Sequence, residues 1–372
     1  MIPMPVIEVW DATGETRLGV LGDLASLQVS DVLCDVGTMR LTGPRDQLAL
    51  LDTDDDRQLC LHQPGAPATW WVLDDDAGTW ISDDPATEPL QVSCRSLHAL
   101  LAETLVVPSG GIGTAPATWE VEDATPGAVV AGLWAAAQAR GMLQGLSLVG
   151  DADADADGEP WPETVSATYQ AGGTLASVLS GLHDSGIVEW LWQGRELRLY
   201  RPDGGADRTL EIQLRPGVHV TKAPLTRSRR GTATAVVVAG ADGATARRTQ
   251  ALAGRRAREA FINEGQAPSS TLAQIGDLYL GAHAASDVQT THELADLDGV
   301  PVPWTDYRPG DRVVTAAAGP DAVTRRIMQV AVNMAPSATT VFLELGAILR
   351  MAEEDMQRQI ARLLPGAGGV TG

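Results

Sequence analysis

Several stretches carry residue types whose spacing could do chemistry. Asp151-Ala-Asp-Ala-Asp-Ala-Asp157-Gly158 sets carboxylates at alternate positions ahead of a glycine. With Asp153, Asp155 and Asp157 at positions 1, 3 and 5, Gly158 falls at position 6 of an EF-hand loop. Position 12 is then Thr164, with Glu163 one place early, and no helical pattern abuts the loop upstream. That favours a solvated acidic loop over a calcium site. His292-Glu293-Leu-Ala-Asp296 has the opening of a zinc motif but lacks the second histidine, and Leu297-Asp-Gly299 after it reads as a turn. The histidines His62, His98, His183, His219, His283 and His292 are scattered one per element. No nucleophile elbow, phosphate loop or dinucleotide fingerprint is present, and Ser109-Gly-Gly-Ile-Gly113 lacks a following helix. In a chain with 48 carboxylates, a pair of acids carries no weight as an acid/base set. The expectation is a protein without catalytic residues, cofactor or metal.

A basic stretch (Lys222, Arg227, Arg229, Arg230, Arg247, Arg248, Arg255, Arg256, Arg258) lacks the interleaved aromatics that single-strand binding uses. On a chain of net charge −21 it is read either as a patch facing carboxylates of a neighbouring subunit or as a solvated face. The same charge repels nucleic acid and anionic membrane, so general DNA binding is disfavoured. Cys34, Cys60 and Cys94 are odd in number and widely spaced, which argues against a disulfide framework, and the alternating strand patterns around Cys60 and Cys94 make those two small core residues. No basic-then-apolar leader and no apolar run approaching eighteen residues is present, so synthesis in a cytoplasm without a membrane anchor is expected.

The elements that must position these residues are mostly strands. At 372 residues, two or three domains are the prior. Residues 1–95 read as an antiparallel meander, with strands at Val6–Trp10, Thr16–Val20, Leu27–Leu33, Thr38–Thr42, Gln58–His62, Thr69–Leu73, Thr79–Ser82 and Leu90–Arg95. Many short strands between turn residues argue for a barrel or sandwich. Over residues 96–215 the apolar period switches from 2 to 3.6 and back, marking an α+β insertion. Its helices are expected at Leu97–Glu103, Gly127–Arg140 (Thr125 cap, Pro126 at the first turn) and Leu175–Asp184, with a hairpin at Ile187–Tyr200. Residues 216–346 return to β structure around a helix at Ser270–Ala284.

Within that last region Trp304, Tyr307, Pro309, Gly310 and Asp311 form the most distinctive stretch. Pro309-Gly310 is turn material, and strands alternate behind it at Arg326–Val332 and Thr340–Leu345. A final helix, Ala347–Leu364, repeats Leu349, Met356 and Leu363 at seven, with Ile360 between, so these four are read as trimer or stalk contacts, the alternative being that the helix packs back on the β region. Residues 347–372 end in glycine-rich tether-like sequence.

The ordered set of features resembles the tail-hub (baseplate hub, minor tail, tail-tip) proteins of long-tailed actinobacterial phages. The resemblance rests on Val92-Ser-Cys-Arg-Ser-Leu97, the Glu189–Tyr200 hairpin, Gly254-Arg-Arg-Ala-Arg-Glu-Ala-Phe261 and Tyr307-Arg-Pro-Gly-Asp311. It implies two barrel-like hub domains, at residues 1–95 and 216–346, flanking the insertion. Three copies would then give a pseudo-sixfold ring at the tail tip of the virion, assembled in the host cytoplasm. The ring would match the sixfold tube to a threefold fibre or spike, and DNA would pass through it without specific binding. The implied partners are other copies of the chain, a distal tail protein, and tail fibre, spike or tape-measure proteins. The alternatives are the hub of a contractile injection system or tailocin, and a cell-wall-degrading or carbohydrate-binding tail protein using Trp70-Trp71 or Trp190 and Trp192.

Overall fold

The computed structural model describes residues 4–51, 55–79, 89–107, 118–184, 186–202, 204–228, 232–254, 256–263, 269–283, 287–295, 297, 299–316, 322–336 and 338–346. The first region folds into β1 (Val6–Trp10), β2 (Arg17–Leu21), β3 (Ser26–Val32), β4 (Thr38–Gly43), β5 (Gln58–His62), β6 (Thr69–Thr79) and β7 (Leu90–Ser96). The middle region contains α1 (His98–Glu103), β8 (Thr118–Ala124), α2 (Pro126–Ala139), β9 (Ser147–Val149), β10 (Val165–Gln170), α3 (Leu175–Asp184), β11 (Glu189–Gln193) and β12 (Glu196–Tyr200). The last region runs through β13 (Gln213–Leu214), β14 (Val220–Lys222), β15 (Leu225–Ser228), β16 (Ala235–Ala239), β17 (Thr245–Thr249), β18 (Glu259–Asn263) and α4 (Leu272–Ala282). It closes with β19 (Asp287–Leu294), β20 (Arg312–Thr315), β21 (Val323–Ala335) and β22 (Ala338–Gly346). The fold is mainly β.

Alternation drives the strands. Leu90, Val92 and Cys94 of β7 point into the core, as do Val341, Leu343 and Leu345 of β22. Helix starts follow their caps. The Thr125 hydroxyl accepts from the Ala128 backbone N–H at 3.2 Å with Pro126 in the first turn. Thr174 and Ser177 cap each other reciprocally ahead of α3.

The strand pairing differs from the expectation of two separate barrels. A single 14-stranded sheet runs β14-β19-β22-β21-β3-β4-β7-β6-β5-β1-β2, with β13, β15 and β20 pairing beside that path. No pairing among the described residues closes it into a barrel. The join is β21 against β3, antiparallel from Gln329 opposite Val32 to Met334 opposite Leu27. At 13 residues β21 is long enough to pair with β3, β20 and β22 together. Both β regions therefore bury side chains in one core, where Ile7, Leu41, Leu59 and Val92 join Ile327, Val330, Val332 and Leu343. Period-two sequence specifies a half-buried strand but not its partner, and so left this join unread.

The middle region has its own core of Leu101, Val130, Trp134, Leu179, Trp190 and Leu199, which extends under the first region through Leu33, Cys34 and Val72. A third, small core lies between α4 and the sheet β17-β16-β18, around Val236, Val238, Leu272 and Leu280.

Candidate functional site

The Trp304–Asp311 stretch lies where the three parts of the chain meet. Trp304 takes a left-handed backbone (φ 60°) while its N–H donates to the Tyr307 carbonyl at 2.7 Å, closing a tight turn. Its indole N–H donates to Asp31 of β3 at 3.1 Å. Burial raises the Asp31 carboxyl to about 6, and the indole hydrogen bond partly offsets that rise. Tyr307 is fully buried beside it. Gly310 (φ 97°) lies so close to Gly205 that a Cβ on Gly205 would sit 2.3 Å from the Gly310 carbonyl oxygen. Asp311, 1 % exposed, accepts from the Ala206 N–H at 2.9 Å and the Arg308 N–H at 3.2 Å.

Arg326 of β21 completes the joint. Its guanidinium makes a bidentate ion pair with Glu189 at the start of β11. It also donates to the Gly204 carbonyl at 2.6 Å and the Gly310 carbonyl at 3.0 Å. The planar fork suits this task, because one arginine satisfies a carboxylate and two carbonyls at fixed angles. Arg308 reaches Gln193 of the same hairpin at 3.2 Å. At the hairpin's tip, Arg195 donates to the carbonyls of Thr13, Gly14 and Gly145 and to Gln58, and lies 4.7 Å over the Trp70 ring. The hairpin is thus fastened to the first region at one end and to the last at the other. Arginines, carboxylates and main-chain atoms here engage one another; the geometry fixes relative position.

The other sequence-predicted residues fall elsewhere. Asp155 is buried and accepts from the N–H groups of Asp157 and Glu159, with Arg201 beside it, while Asp151 accepts from Asp153 and Ala154. These carboxylates turn onto the backbone and do not assemble as a calcium ring. His292 and Glu293 point to opposite faces of β19. His292 is buried against Thr315 (2.6 Å) and Glu293 pairs with Lys222 (2.7 Å). Among the basic residues, Arg247 pairs with Glu259 and Arg248 with Asp277 inside the chain. The Arg258 guanidinium donates to Thr232, and Arg256 is exposed. Arg229, Arg230 and Arg255 lie outside the described residues, as do Leu349, Met356, Ile360 and Leu363 with their helix. Trp71 and Trp190 are core residues and Trp70 is covered by Arg195, which removes them as sugar platforms.

Sequence reasoning missed one cluster. Glu8 of β1 stands opposite Cys60 of β5, and His62 follows two residues on, on the same face. His62 Nε2 lies 3.3 Å from Cys60 Sγ and 3.1 Å from Glu8 Oε2. Glu8 Oε1 is held by Arg17 at 2.8 Å. That contact is the main cause of the Glu8 carboxyl lying below its ordinary range. Cys60-Leu-His62 was the available signal, since i and i+2 share a face in a strand; Glu8 was invisible until β1 paired with β5.

No protein-family model and no curated protein matches the chain. Solved structures do match along nearly its whole length. The 43 kDa tail protein of prophage MuSo2 from Shewanella oneidensis superposes with a TM-score of 0.61 at 13% identity, covering 91% of this chain and 98% of that one. A tail protein from Neisseria meningitidis MC58 gives 0.59 at 11%, covering 93% and 97%. Prophage tail protein gp18 from Listeria monocytogenes EGD-e gives 0.57 at 13%, covering 96% and 99%. This chain has the fold of phage tail proteins. At 91%, 93% and 96% coverage, the matched spans take in parts of all three regions of the chain. Among the described residues, no helix is long and apolar enough to cross a membrane.

Proposed function

We propose that the chain is a structural hub of a phage tail tip or baseplate, working as a homotrimer without catalysis. The observation that supports it most is the combination of full-length likeness to tail proteins with a sheet that carries both β regions side by side. A subunit built this way is an arc of two units, residues 1–95 and 216–346, joined by β3 and β21. Three arcs close into six units around a channel, matching a sixfold tube above and a threefold fibre or spike below. The insertion, residues 96–215, is held rigid by Arg326 and Arg195 and sets the outer profile of the ring. The net charge of −21 keeps passing DNA from sticking to the wall. Residues 347–372 would carry the threefold seam, through Leu349, Met356, Ile360 and Leu363, toward fibre or tape-measure proteins.

Native mass measurement of the purified chain, and imaging of the assembled particle, test this reading. The expected result is a species of three times 39.1 kDa. Each pair of copies should bury well over ~2,000 Å², as obligate assemblies do. A chain that remains monomeric within the particle would overturn it.

A further inference from the structure

We propose that Glu8, Cys60 and His62 form a three-ligand site for a borderline-soft divalent cation, zinc above all, with a fourth position open to water. The three donor atoms lie within 4.8 Å of one another. The thiol–imidazole and imidazole–carboxylate separations are 3.3 and 3.1 Å. A tetrahedral zinc with metal–sulfur near 2.3 Å and metal–nitrogen or –oxygen near 2.0–2.1 Å would space those pairs at roughly 3.6 and 3.4 Å. A shift of a few tenths of an ångström brings those two pairs to that spacing, and the third pair, sulfur to carboxylate, already lies within 4.8 Å.

Convergence on one atom separates this arrangement from a nucleophilic triad. In a thiol–imidazole–carboxylate relay, the two partners occupy different ring nitrogens, one taking the proton and one orienting the ring. Here both the thiol and the carboxylate approach Nε2. One nitrogen carries at most one proton, so it cannot serve both contacts with full hydrogen bonds. A cation at the centre of the three donors serves all of them. Arg17 holds the other carboxylate oxygen and thereby aims Oε2 at the site, the part an outer-shell partner plays in metal centres.

Burial also has the right gradient. Cys60 forms the floor at 2 % exposure, the Glu8 side chain is 16 % exposed, and His62 forms the rim with its side chain 45 % exposed. The metal can enter from solvent, and water can complete the tetrahedron. Thiolate, imidazole and carboxylate together select zinc-like ions over calcium or magnesium, which take oxygen ligands. On binding, the Cys60 S–H bond breaks, a metal–sulfur bond forms, and the proton leaves to bulk water. His62 contributes its Nε2 lone pair as neutral imidazole, with its proton on Nδ1.

The test uses the full chain, stripped by chelator dialysis and titrated with cobalt(II), then assayed for zinc by equilibrium dialysis. One equivalent of metal and a thiolate-to-cobalt charge-transfer band are expected. Cys60→Ser should abolish the band. His62→Gln, a change at a half-exposed position that leaves folding intact, should weaken zinc binding beyond the ~10–100-fold that losing an outer-shell partner costs. No charge-transfer band with stoichiometric cobalt would overturn the proposal. So would an unchanged band in Cys60→Ser, which would place the sulfur at Cys34 or Cys94. If Cys60→Ser does not fold, His62→Gln decides: wild-type zinc affinity in that variant rejects the site.

Discussion

Replacing Arg326 with leucine should be among the most damaging single changes in this protein. Glu189 is 7 % exposed as a residue, and the Arg326 side chain is 14 % exposed, so neither charge has water to fall back on. Removing one partner of such a pair costs about 3–5 kcal/mol, because the remaining charge stays buried. The Gly204 and Gly310 carbonyls each lose a donor as well, at about 1 kcal/mol apiece. Arg326→Leu should therefore lose about 5 kcal/mol, a large part of a typical domain's 5–15. The double variant Glu189→Leu/Arg326→Leu leaves only the two carbonyls unserved and should lose about 2 kcal/mol. The coupling between the sites is then about 3 kcal/mol or more, since Glu189→Leu alone strands the guanidinium. Denaturant unfolding followed by tryptophan fluorescence reads all four corners of the cycle, and Trp190 adjoins the pair in sequence. A coupling below about 1 kcal/mol, the range of solvent-exposed pairs, would refute the clamp.

Gly205→Ala should abolish stable folding or lose several kcal/mol, seen as a collapsed melting temperature, because it combines a positive φ with a Cβ 2.3 Å from the Gly310 oxygen. Leu41→Ala and Leu343→Ala, in different β regions, should each cost about 2–5 kcal/mol and shift the same cooperative unfolding transition, since both side chains lie in one core. Two separately moving transitions in a denaturation curve would contradict the shared sheet. His98, stacked on Trp190 and accepting from its indole N–H through Nδ1, is held near pKa 4 by burial. Its neutral ring contributes stability that is complete above the unfolded value of about 6.5 and is lost as pH falls toward 4, about 3 kcal/mol in all, so His98→Gln should flatten that part of the pH–stability curve. Asp31 opposes it: with its carboxyl raised to about 6, the folded state gains relative stability as pH falls below 6, so the difference between variant and parent must be compared rather than the parent curve alone.

What could be read in the sequence was whatever depends on neighbours along the chain. The helices at Leu175–Asp184 and Pro126–Ala139 follow their caps, and β7 and β22 follow their alternation, all within a residue or two of expectation. The Tyr307–Asp311 turn was recognisable because Pro309-Gly310 constrains its own backbone. What stayed hidden depends on pairing across long separations. Met334 opposite Leu27 is a contact between residues some 300 apart, and no local period encodes it. Arg326 reads as an ordinary strand arginine until Glu189 arrives from the insertion, and Glu8 reads as a surface carboxylate until β5 lies beside it. In the basic stretch, Arg247 and Arg248 find Glu259 and Asp277 on other elements of the same small unit, partners that no local spacing encodes.

The two junctions of the insertion share a design. Where it meets each β region, one arginine bridges main-chain carbonyls from both sides: Arg326 joins the insertion to the last region, and Arg195 joins it to the first. A guanidinium donates in several fixed directions at once, so it holds orientation as well as distance. Apolar packing alone would let the insertion rock against the sheet, because hydrophobic contact is non-directional. Fixed angles between parts matter most to a protein whose copies must close a ring, where an error in one subunit is repeated at every interface. The arginine joints are therefore the feature of this fold that its proposed work most requires.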